Sequence, residues 1–303
     1  MTFGSQVTPT DAHRMVDKWL DAGLNFIDTA NVYNDGLAEQ ITGDCLKGRR
    51  DKVVLASKVR GAMGDPVRYE GLSAKAMRTS VEESLSRLQT DYLDLLYLHM
   101  PDPATPIEET LETLSALQRE GKVRYGATSN YAAWQVCEMF SLCDRNGWPY
   151  PAVSQPMYNA LARGIEQEYI PFARKFGVSL VVYNPLAGGL LTGKQSLQTG
   201  PIAGTRFDGN ERYLDRYWHP GYFKAVEEMK KISANYGRSI IEIALRWLLD
   251  HEIVDSVILG ASRMEHLEAN IAAAESAPLT REILDACDVV WDELRGPTPF
   301  YNR

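Results

Sequence analysis

The chain alternates short apolar runs with helical patterns, and this alternation limits its fold more than any other feature. Apolar runs bounded by turn or polar residues are typical of buried strands. Seven such runs lie at 25–28, 53–58, 93–99, 123–128, 152–155, 180–184 and 257–260. Their strict alternation with helices predicts parallel strands joined by right-handed crossovers.

Eight strand–helix units would close the sheet, and Met1–Gly4 is predicted to be the tail of the first strand. The predicted fold class is therefore α/β, an (α/β)8 TIM barrel with parallel strands and a truncated first strand. A truncated chain start, or pairing supplied by a partner chain, would account for the missing part. An open doubly wound sheet is the alternative, but the chain lacks the early GxGxxG turn usual in such sheets. Because no stretch resembles a linker, residues 1–303 are expected to form a single domain.

Helical patterns fill the intervals between the strands. Thr8 is a candidate N-cap with Pro9 at the first helical position, and Thr105-Pro106 repeats this start. Further helices are predicted at 38–47, 73–88, 132–146, 165–176, 223–236, 239–251, 265–274 and 281–293. Residues 195–222 are expected to be one long irregular segment, which in compact domains is often functional.

Charge and composition exclude several classes of function. The net charge is -8 and no block of Lys or Arg occurs, so the electrostatic footprint of a nucleic-acid-binding protein is missing. The N-terminus lacks the pattern of a signal peptide, and no apolar run is long enough to span a bilayer. The four cysteines show no metal-ligand spacing. We therefore expect a cytoplasmic protein with free thiols, no metal site and no membrane or nucleic-acid partner.

Successive predicted strands end in Asp28, Lys58 and His99, and Tyr33 follows just beyond the first of them. Each residue alone also fits a purely structural role. In a parallel barrel, however, the C-terminal ends of the strands share one face, so the four side chains can converge. A tyrosine can act as an acid when a nearby ammonium stabilises its anion and a carboxylate holds that ammonium, while a histidine orients a carbonyl. Such a site suits carbonyl reduction, and a nicotinamide cofactor would have to supply the hydride.

Several motifs resemble those of the aldo-keto reductase superfamily, in the same order along essentially the whole chain. They are Gly23–Tyr33, Lys58, Leu98-His99, Ser129-Asn130, Gln155 and Asn184–Lys194. Other stretches are similar to its aflatoxin aldehyde reductase (succinic semialdehyde reductase) branch, namely Ser129–Trp134, Asn146–Trp148, Arg206-Phe207, Gly209-Asn210, Arg216–Trp218, Ile258–Ser262 and Pro299–Arg303.

The resemblance implies NADPH-dependent reduction of an aldehyde or ketone, with the cofactor and the active site at the C-terminal face of the barrel. It implies Tyr33 as general acid, Lys58 and Asp28 as the pair that tunes it, and His99 as the residue that orients the carbonyl. The implied cofactor-binding residues are Ser129, Asn130, Gln155, Tyr183, Asn184, Pro185, Leu186, Gly188, Leu190, Gly193, Lys194, Arg206, Gly260, Ser262, Arg263, His266 and Asn270.

Within that set, each group has its own expected contact. Ser129, Asn130 and Gln155 would bind the nicotinamide carboxamide, which needs both donors and acceptors, and Tyr183 would stack on the ring. The glycines of the 184–194 loop would let backbone N–H groups approach the pyrophosphate, and Lys194 and Arg206 would add positive charge. Ser262 and Arg263, before a helix N-terminus, suit an adenosine 2'-phosphate. His266 and Asn270 would line the adenine side.

Arg216 and Arg303 match positions that could bind a substrate carboxylate, because a guanidinium binds a carboxylate in bidentate fashion. The branch also implies a homodimer. Ala261 and Ala269 stand where many relatives have a Lys and some an acidic residue, which weakens the choice of NADPH over NADH. Two alternatives stay open: a cofactor-binding regulatory or scaffold subunit, and a barrel enzyme that acts on phosphorylated sugars without nicotinamide.

Overall fold

Seven strands alternate with helices in the computed structural model, which describes residues 1–64 and 69–297. The predicted α/β class is confirmed. The strands are β1 Phe26–Asp28, β2 Val54–Val59, β3 Leu93–Leu98, β4 Val123–Ser129, β5 Val153–Gln155, β6 Ser179–Val182 and β7 Val254–Val257.

The α-helices match the predicted intervals closely in the first half of the chain. Thr8 caps the first helix as expected, since its side chain accepts a hydrogen bond from the Asp11 N–H. The helices are α1 Pro9–Asp21, α2 Leu37–Cys45, α3 Ala74–Leu88, α4 Ile107–Arg119, α5 Ala133–Asn146, α6 Tyr169–Phe176, α7 Glu211–Tyr217, α8 Pro220–Tyr236, α9 Ile240–Leu249, α10 Met264–Glu275 and α11 Arg281–Arg295. None of the described helices is long and apolar enough to cross a membrane.

The chain packs as two compact units. The first comprises residues 1–156, 175–179 and 260–267, and the second comprises residues 157–174, 180–259 and those from Glu268 onward. In the first unit, β1 to β5 pair in sequence order and all in parallel. In the second unit, Leu180–Val182 of β6 pairs in parallel with β7. The parallel pairing is confirmed, while closure into an eight-stranded barrel and the single domain stay predictions.

Two predictions about the second unit were wrong. The helix expected at 165–176 begins only at Tyr169, because Pro171 lacks an N–H and is tolerated only in a first turn. A separate 3-10 turn, Gly164–Glu166, precedes it. The segment expected to be irregular contains α7, whose N-cap Asn210 accepts from the Tyr213 N–H, and it also contains the start of α8.

Three further boundaries differ from the sequence expectation. The last strand lies at Val254–Val257 instead of 257–260, and the Asp255 carboxylate fixes it by accepting the Leu180 N–H at 2.7 Å. Thr105 does not cap α4, because its hydroxyl donates to Asp102 at 2.6 Å and the helix begins after Pro106. Among the described residues, Met1–Gly4 pairs with no strand of the sheet, and Phe3 forms an isolated bridge to Val7 across a turn.

The core of each unit is built from its strands and the helices that cover them. In the first unit, Ala56, Leu95, Tyr97 and Ala127 of β2, β3 and β4 form a buried hydrophobic cluster. Helix α2 packs against α3, and Gly43 of α2 lies directly against the backbone carbonyls at the C-terminal end of α3. A Cβ atom on Gly43 would lie 2.6 Å from the Leu88 carbonyl oxygen. The close approach of these two helices therefore requires glycine at position 43.

Gly43→Ala is expected to lower the free energy of unfolding by about 1–3 kcal/mol, because overpacking against backbone outweighs the better helix propensity of alanine. Urea unfolding monitored by circular dichroism measures the change. Gly164→Ala is the matched control, since a Cβ there meets no heavy atom within 4 Å. Equal stability of Gly43→Ala and the wild-type protein would contradict this account of the α2–α3 contact.

Candidate active site

The four residues predicted to carry chemistry lie at one edge of the first unit's sheet. Asp28 is the last residue of β1, and Lys58 lies one residue before the end of β2. His99 follows β3 directly, and its N–H donates to the Val59 carbonyl at 3.0 Å. The loop that leads to Tyr33 continues the hydrogen bonding between β1 and β2, because the Asn31 N–H donates to the Lys58 carbonyl at 3.2 Å. Parallel register thus brings the ends of three strands together, as predicted.

A buried ion pair joins the first two strands of this edge. The Lys58 ammonium donates to the Asp28 carboxylate, and the side chains are 1% and 7% exposed. Lys58 also donates to the Thr29 carbonyl at 2.9 Å. The second carboxylate oxygen of Asp28 accepts from the Gln155 Nε2 at 2.9 Å. Asp28 is therefore held from both sides, and its charge is matched by a cation with almost no access to water.

Tyr33 meets the same ammonium. The Lys58 Nζ lies 5.1 Å from the centroid of the Tyr33 ring, and a side-chain hydrogen bond links the two residues. Burial disfavours the charged form of Lys58, but the charge of Asp28 and the contacts with Tyr33 outweigh it and raise the pKa of Lys58. The ammonium therefore stays protonated at neutral pH beside a phenol, which stabilises the anion of that phenol.

His99 lies beside Tyr33. The two rings meet edge to face, with centroids 6.0 Å apart. The backbone of His99 is also fixed, since its carbonyl accepts from Asn130 Nδ2 at 2.9 Å. The structure thus brings Asp28, Tyr33, Lys58 and His99 together.

Tyr97 is a neighbour of the site that sequence reasoning missed. It is fully buried on β3, opposite Lys58 in the strand register, and the Lys58 Nζ lies 5.7 Å from its ring centroid. Burial, followed by the charge of Asp28, raises the pKa of Tyr97 far above its usual range, so it stays a neutral phenol. Its position two residues before His99, on the same side of β3, was the available signal.

Three polar residues at the ends of β4 and β5 form a second group in the same unit. The Ser129 hydroxyl donates to the Gln155 carbonyl at 2.8 Å and accepts from Asn130 Nδ2 at 3.0 Å. Asn130 adopts a left-handed conformation with φ of 63°, which asparagine tolerates better than most residues. The group combines amide and hydroxyl donors and acceptors, so its chemistry fits a carboxamide.

The glycine-rich segment of the second unit forms an irregular 3-10 turn over Ala187–Thr192. Asn184 organises it, because its Oδ1 accepts the Gly188 N–H at 2.7 Å while its Nδ2 donates to the Tyr217 hydroxyl at 2.8 Å. The turn requires glycine at 188, where φ is 70° and a Cβ would lie 2.7 Å from a Tyr213 ring carbon.

The backbone N–H groups of this turn are hydrogen-bonded within the 184–194 loop. The N–H groups of Gly188, Gly189 and Gly193 donate to Asn184 Oδ1, the Leu186 carbonyl and the Leu190 carbonyl, respectively. The positive charge expected nearby is present. Lys194 is exposed and forms no ion pair with any residue of the described ranges. Contact of this segment with a phosphate, through Lys194 or the glycine N–H groups, stays a prediction.

Two arginines of the second unit share one aromatic partner. The Arg206 guanidinium lies 5.3 Å from the Tyr213 ring centroid, and that of Arg216 lies 5.5 Å from it. Arg216 is half-buried and forms no ion pair within the part of the chain that the structure describes. Tyr183, Pro185, Leu186 and Leu190 belong to the same unit, and Arg303 lies outside the described residues.

The remaining predicted cofactor residues surround the start of α10. The Ser262 hydroxyl lies 3.3 Å from His266 Nδ1, and the His266 N–H donates to the Arg263 carbonyl at 3.2 Å. Arg263 is exposed just before the helix, and Gly260 precedes it by three residues. Asn270, further along α10, is buried. A serine and an arginine at a helix N-terminus form a place suited to a phosphate group.

The comparison with known proteins shows the family of this chain. The Aldo/keto reductase family model matches residues 1–292, a span that contains the oxidoreductase site predicted from the strand ends. The chain belongs to the aldo/keto reductase family, and it is an oxidoreductase.

Three relatives illustrate the range of the match. The chain is 39% identical over 320 residues to aflatoxin B1 aldehyde reductase member 2 of Rattus norvegicus, covering 100% of this chain and 86% of that protein. It is 39% identical over 320 residues to aldo-keto reductase family 7 member A3 of Homo sapiens, covering 100% of this chain and 95% of the relative. It is also 34% identical over 309 residues to a probable voltage-gated potassium channel subunit beta of Oryza sativa subsp. japonica, at 100% and 94% coverage.

Removal of either member of the buried pair is expected to destabilise the protein more than removal of both. Asp28→Leu or Lys58→Met alone leaves an uncompensated buried charge and should cost about 3–5 kcal/mol. The double variant should recover most of that loss. Urea unfolding of the four proteins at pH 7 gives the coupling energy, and strictly additive effects would contradict a coupled pair.

The same pair predicts a dependence on alkaline pH. Because the pKa of Lys58 is raised in the folded state, the pair's stabilisation is complete below the unfolded pKa of about 10.4 and is lost as pH rises through the folded value. As the pH rises above about 10, the wild-type protein should therefore lose more stability than the double variant. A constant difference between them across that range would refute the assignment.

Proposed function

We propose that the protein reduces aldehydes, and related ketones, to alcohols with NADPH, using Tyr33 as the general acid. The single observation that carries the proposal is the fully buried Lys58, which contacts both Asp28 and Tyr33. A phenol releases a proton readily only when its anion is stabilised, and a desolvated ammonium held by a carboxylate does this.

The proposed chemistry assigns each group one task. Tyr33 gives its hydroxyl proton to the substrate oxygen as the carbonyl becomes an alcohol, and Lys58 stabilises the resulting phenolate. His99, with its ring against Tyr33, donates to the same carbonyl oxygen and orients it. Asp28 fixes the position and charge of Lys58. When bound, the reduced nicotinamide supplies a hydride to the carbonyl carbon.

The residues present fit such a cofactor. Ser129, Asn130 and Gln155 offer both donors and acceptors, as a carboxamide needs. The further cofactor assignments from the sequence are kept as part of the proposal, with Lys194 and Arg206 as charges for the pyrophosphate. Arg263, exposed at the start of α10 beside Ser262, supports a 2'-phosphate and hence NADPH over NADH.

A carboxylate-bearing aldehyde is the proposed substrate class. The support is Arg216, a half-buried guanidinium whose aromatic neighbour Tyr213 fixes its position while no described carboxylate neutralises it. A guanidinium in that state can bind a substrate carboxylate in bidentate fashion.

A second candidate function comes from the comparison with the potassium channel subunit beta relative, at 34% identity over the full length of this chain. On that view the chain would bind the nicotinamide cofactor as a regulatory or scaffold subunit with little turnover. Quenching of tryptophan emission by NADPH, without oxidation of NADPH in the presence of aldehydes, would favour this candidate. Steady-state assays of an aldehyde panel, run with NADPH and with NADH, separate the two functions.

Tyr33→Phe is expected to lower kcat/KM for aldehyde reduction by about 10²–10⁴-fold, because the proton donor is lost while the ring remains. NADPH binding, measured by tryptophan fluorescence, should be nearly unchanged. Tyr125→Phe serves as the control, since Tyr125 lies on the same sheet with 60% of its surface exposed. Turnover by Tyr33→Phe at the wild-type rate would contradict the proposed role of Tyr33 as general acid.

Arg216→Ala is expected to raise the KM for succinic semialdehyde about tenfold or more, because a charge-assisted hydrogen bond contributes about 1.5–3 kcal/mol. The KM for an uncharged aldehyde of similar length, such as butanal, should stay unchanged. Arg212→Ala is the matched control, an exposed arginine on the same helix. An unchanged KM for succinic semialdehyde would remove Arg216 from substrate binding.

A further inference from the structure

Glu39 is a completely buried carboxylate outside the contacts described so far. It lies in the first turn of α2, and its side chain has no exposed surface. Its Oε1 accepts from the Ser57 hydroxyl at 2.5 Å, and its Oε2 accepts from Arg87 Nε at 2.7 Å. A buried charge is costly unless it is paired and hydrogen-bonded, and here both carboxylate oxygens have partners.

Both ends of the Ser57–Glu39 hydrogen bond connect to the candidate site through neighbouring residues. Ser57 precedes Lys58 on β2. Glu39 follows Ala38, whose N–H donates to the Tyr33 carbonyl at 3.3 Å. A closed ring of contacts therefore runs from Lys58 through Ser57, Glu39 and Ala38 to Tyr33, and returns to Lys58 through their side-chain hydrogen bond.

Arg87 of α3 also contacts residues of this ring. The turn between Tyr33 and α2 is left-handed at three successive residues, with φ of 51° at Asn34, 50° at Asp35 and 85° at Gly36. The Arg87 side chain packs against this turn so closely that a Cβ on Gly36 would lie 2.8 Å from Arg87 Cδ. Arg87 thus contacts both the turn that follows Tyr33 and the carboxylate of Glu39.

We infer that Glu39, held by Ser57 and Arg87, is a positioning residue that sets the distance between the Tyr33 hydroxyl and the Lys58 ammonium. The inference rests on the proposed function for its catalytic meaning. The charged and titratable groups that face Tyr33 are Lys58 from β2 and His99 after β3, with Asp28 behind Lys58. Loss of the Ser57–Glu39 hydrogen bond leaves these groups in place but lets Tyr33 move away from the Lys58 ammonium.

Ser57→Ala removes one hydroxyl and tests the inference directly. Protein labelled with ¹³C at tyrosine Cζ is titrated by NMR, and the Tyr33 resonance is assigned with Tyr33→Phe. The Tyr33 phenol of Ser57→Ala should titrate about half a pH unit or more above the wild type, because it lies further from the cation. The kcat for aldehyde reduction should fall about tenfold, with a smaller change in KM, and its pH profile should shift in the same direction.

Two further variants separate positioning from general loss of stability. Ser57→Thr keeps the hydroxyl and should restore the wild-type titration. Thr110→Val removes a buried hydrogen bond of similar kind, since Thr110 is 1% exposed and donates to the Leu72 carbonyl at 3.1 Å. Thr110→Val should lose stability without any change in the Tyr33 titration or in the pH profile.

An unchanged Tyr33 titration in Ser57→Ala, together with a kcat no lower than that of Thr110→Val, would overturn the inference. The outcome is distinguishable from failure of the proposed function. If the wild-type protein reduced no aldehyde, the proposed function would fall, while the NMR titration would still decide whether Glu39 sets the contact between Tyr33 and Lys58.

Discussion

The site depends on the burial of one ammonium group between a carboxylate and a phenol. Lys58 has 1% of its side chain exposed, so its charge is tolerable only because Asp28 lies against it. The same absence of water makes the charge effective on Tyr33, since electrostatic interactions weaken sharply in a high dielectric. Stability and chemistry thus rest on the same contact. Gln155 extends it by holding the far oxygen of Asp28.

Much of this arrangement could be predicted from the sequence because strand ends carry positional information. Once parallel strands alternate with helices, Asp28, Lys58 and His99 must lie along one edge. The sequence could not show which helix holds that edge in place. A glutamate in a helix is usually exposed, and only the packing of α2 on α3 reveals that Glu39 is buried. Tyr97 was missed for a similar reason, since an aromatic residue in an apolar run is first interpreted as core.

The errors in the second unit have local physical causes. Asp255 interrupts the apolar pattern of the last strand because its side chain accepts a backbone N–H of the neighbouring strand. Pro171 delays α6, and Asn210 starts a short helix inside a segment whose polar composition suggested a loop. In each case a single side chain either accepts a backbone N–H or, as in proline, restricts the backbone. A hydrophobic pattern taken over a window of residues does not show such single-residue effects.

The left-handed run Asn34–Asp35–Gly36 has a consequence for how this loop can be redesigned. Branched residues such as valine and isoleucine would be strained there, and alanine at 36 would strike Arg87. Libraries that aim to change which aldehydes are accepted should therefore leave these three positions, and the length of the loop, untouched. Diversity belongs instead in elements whose backbone does not carry Tyr33, the proposed proton donor.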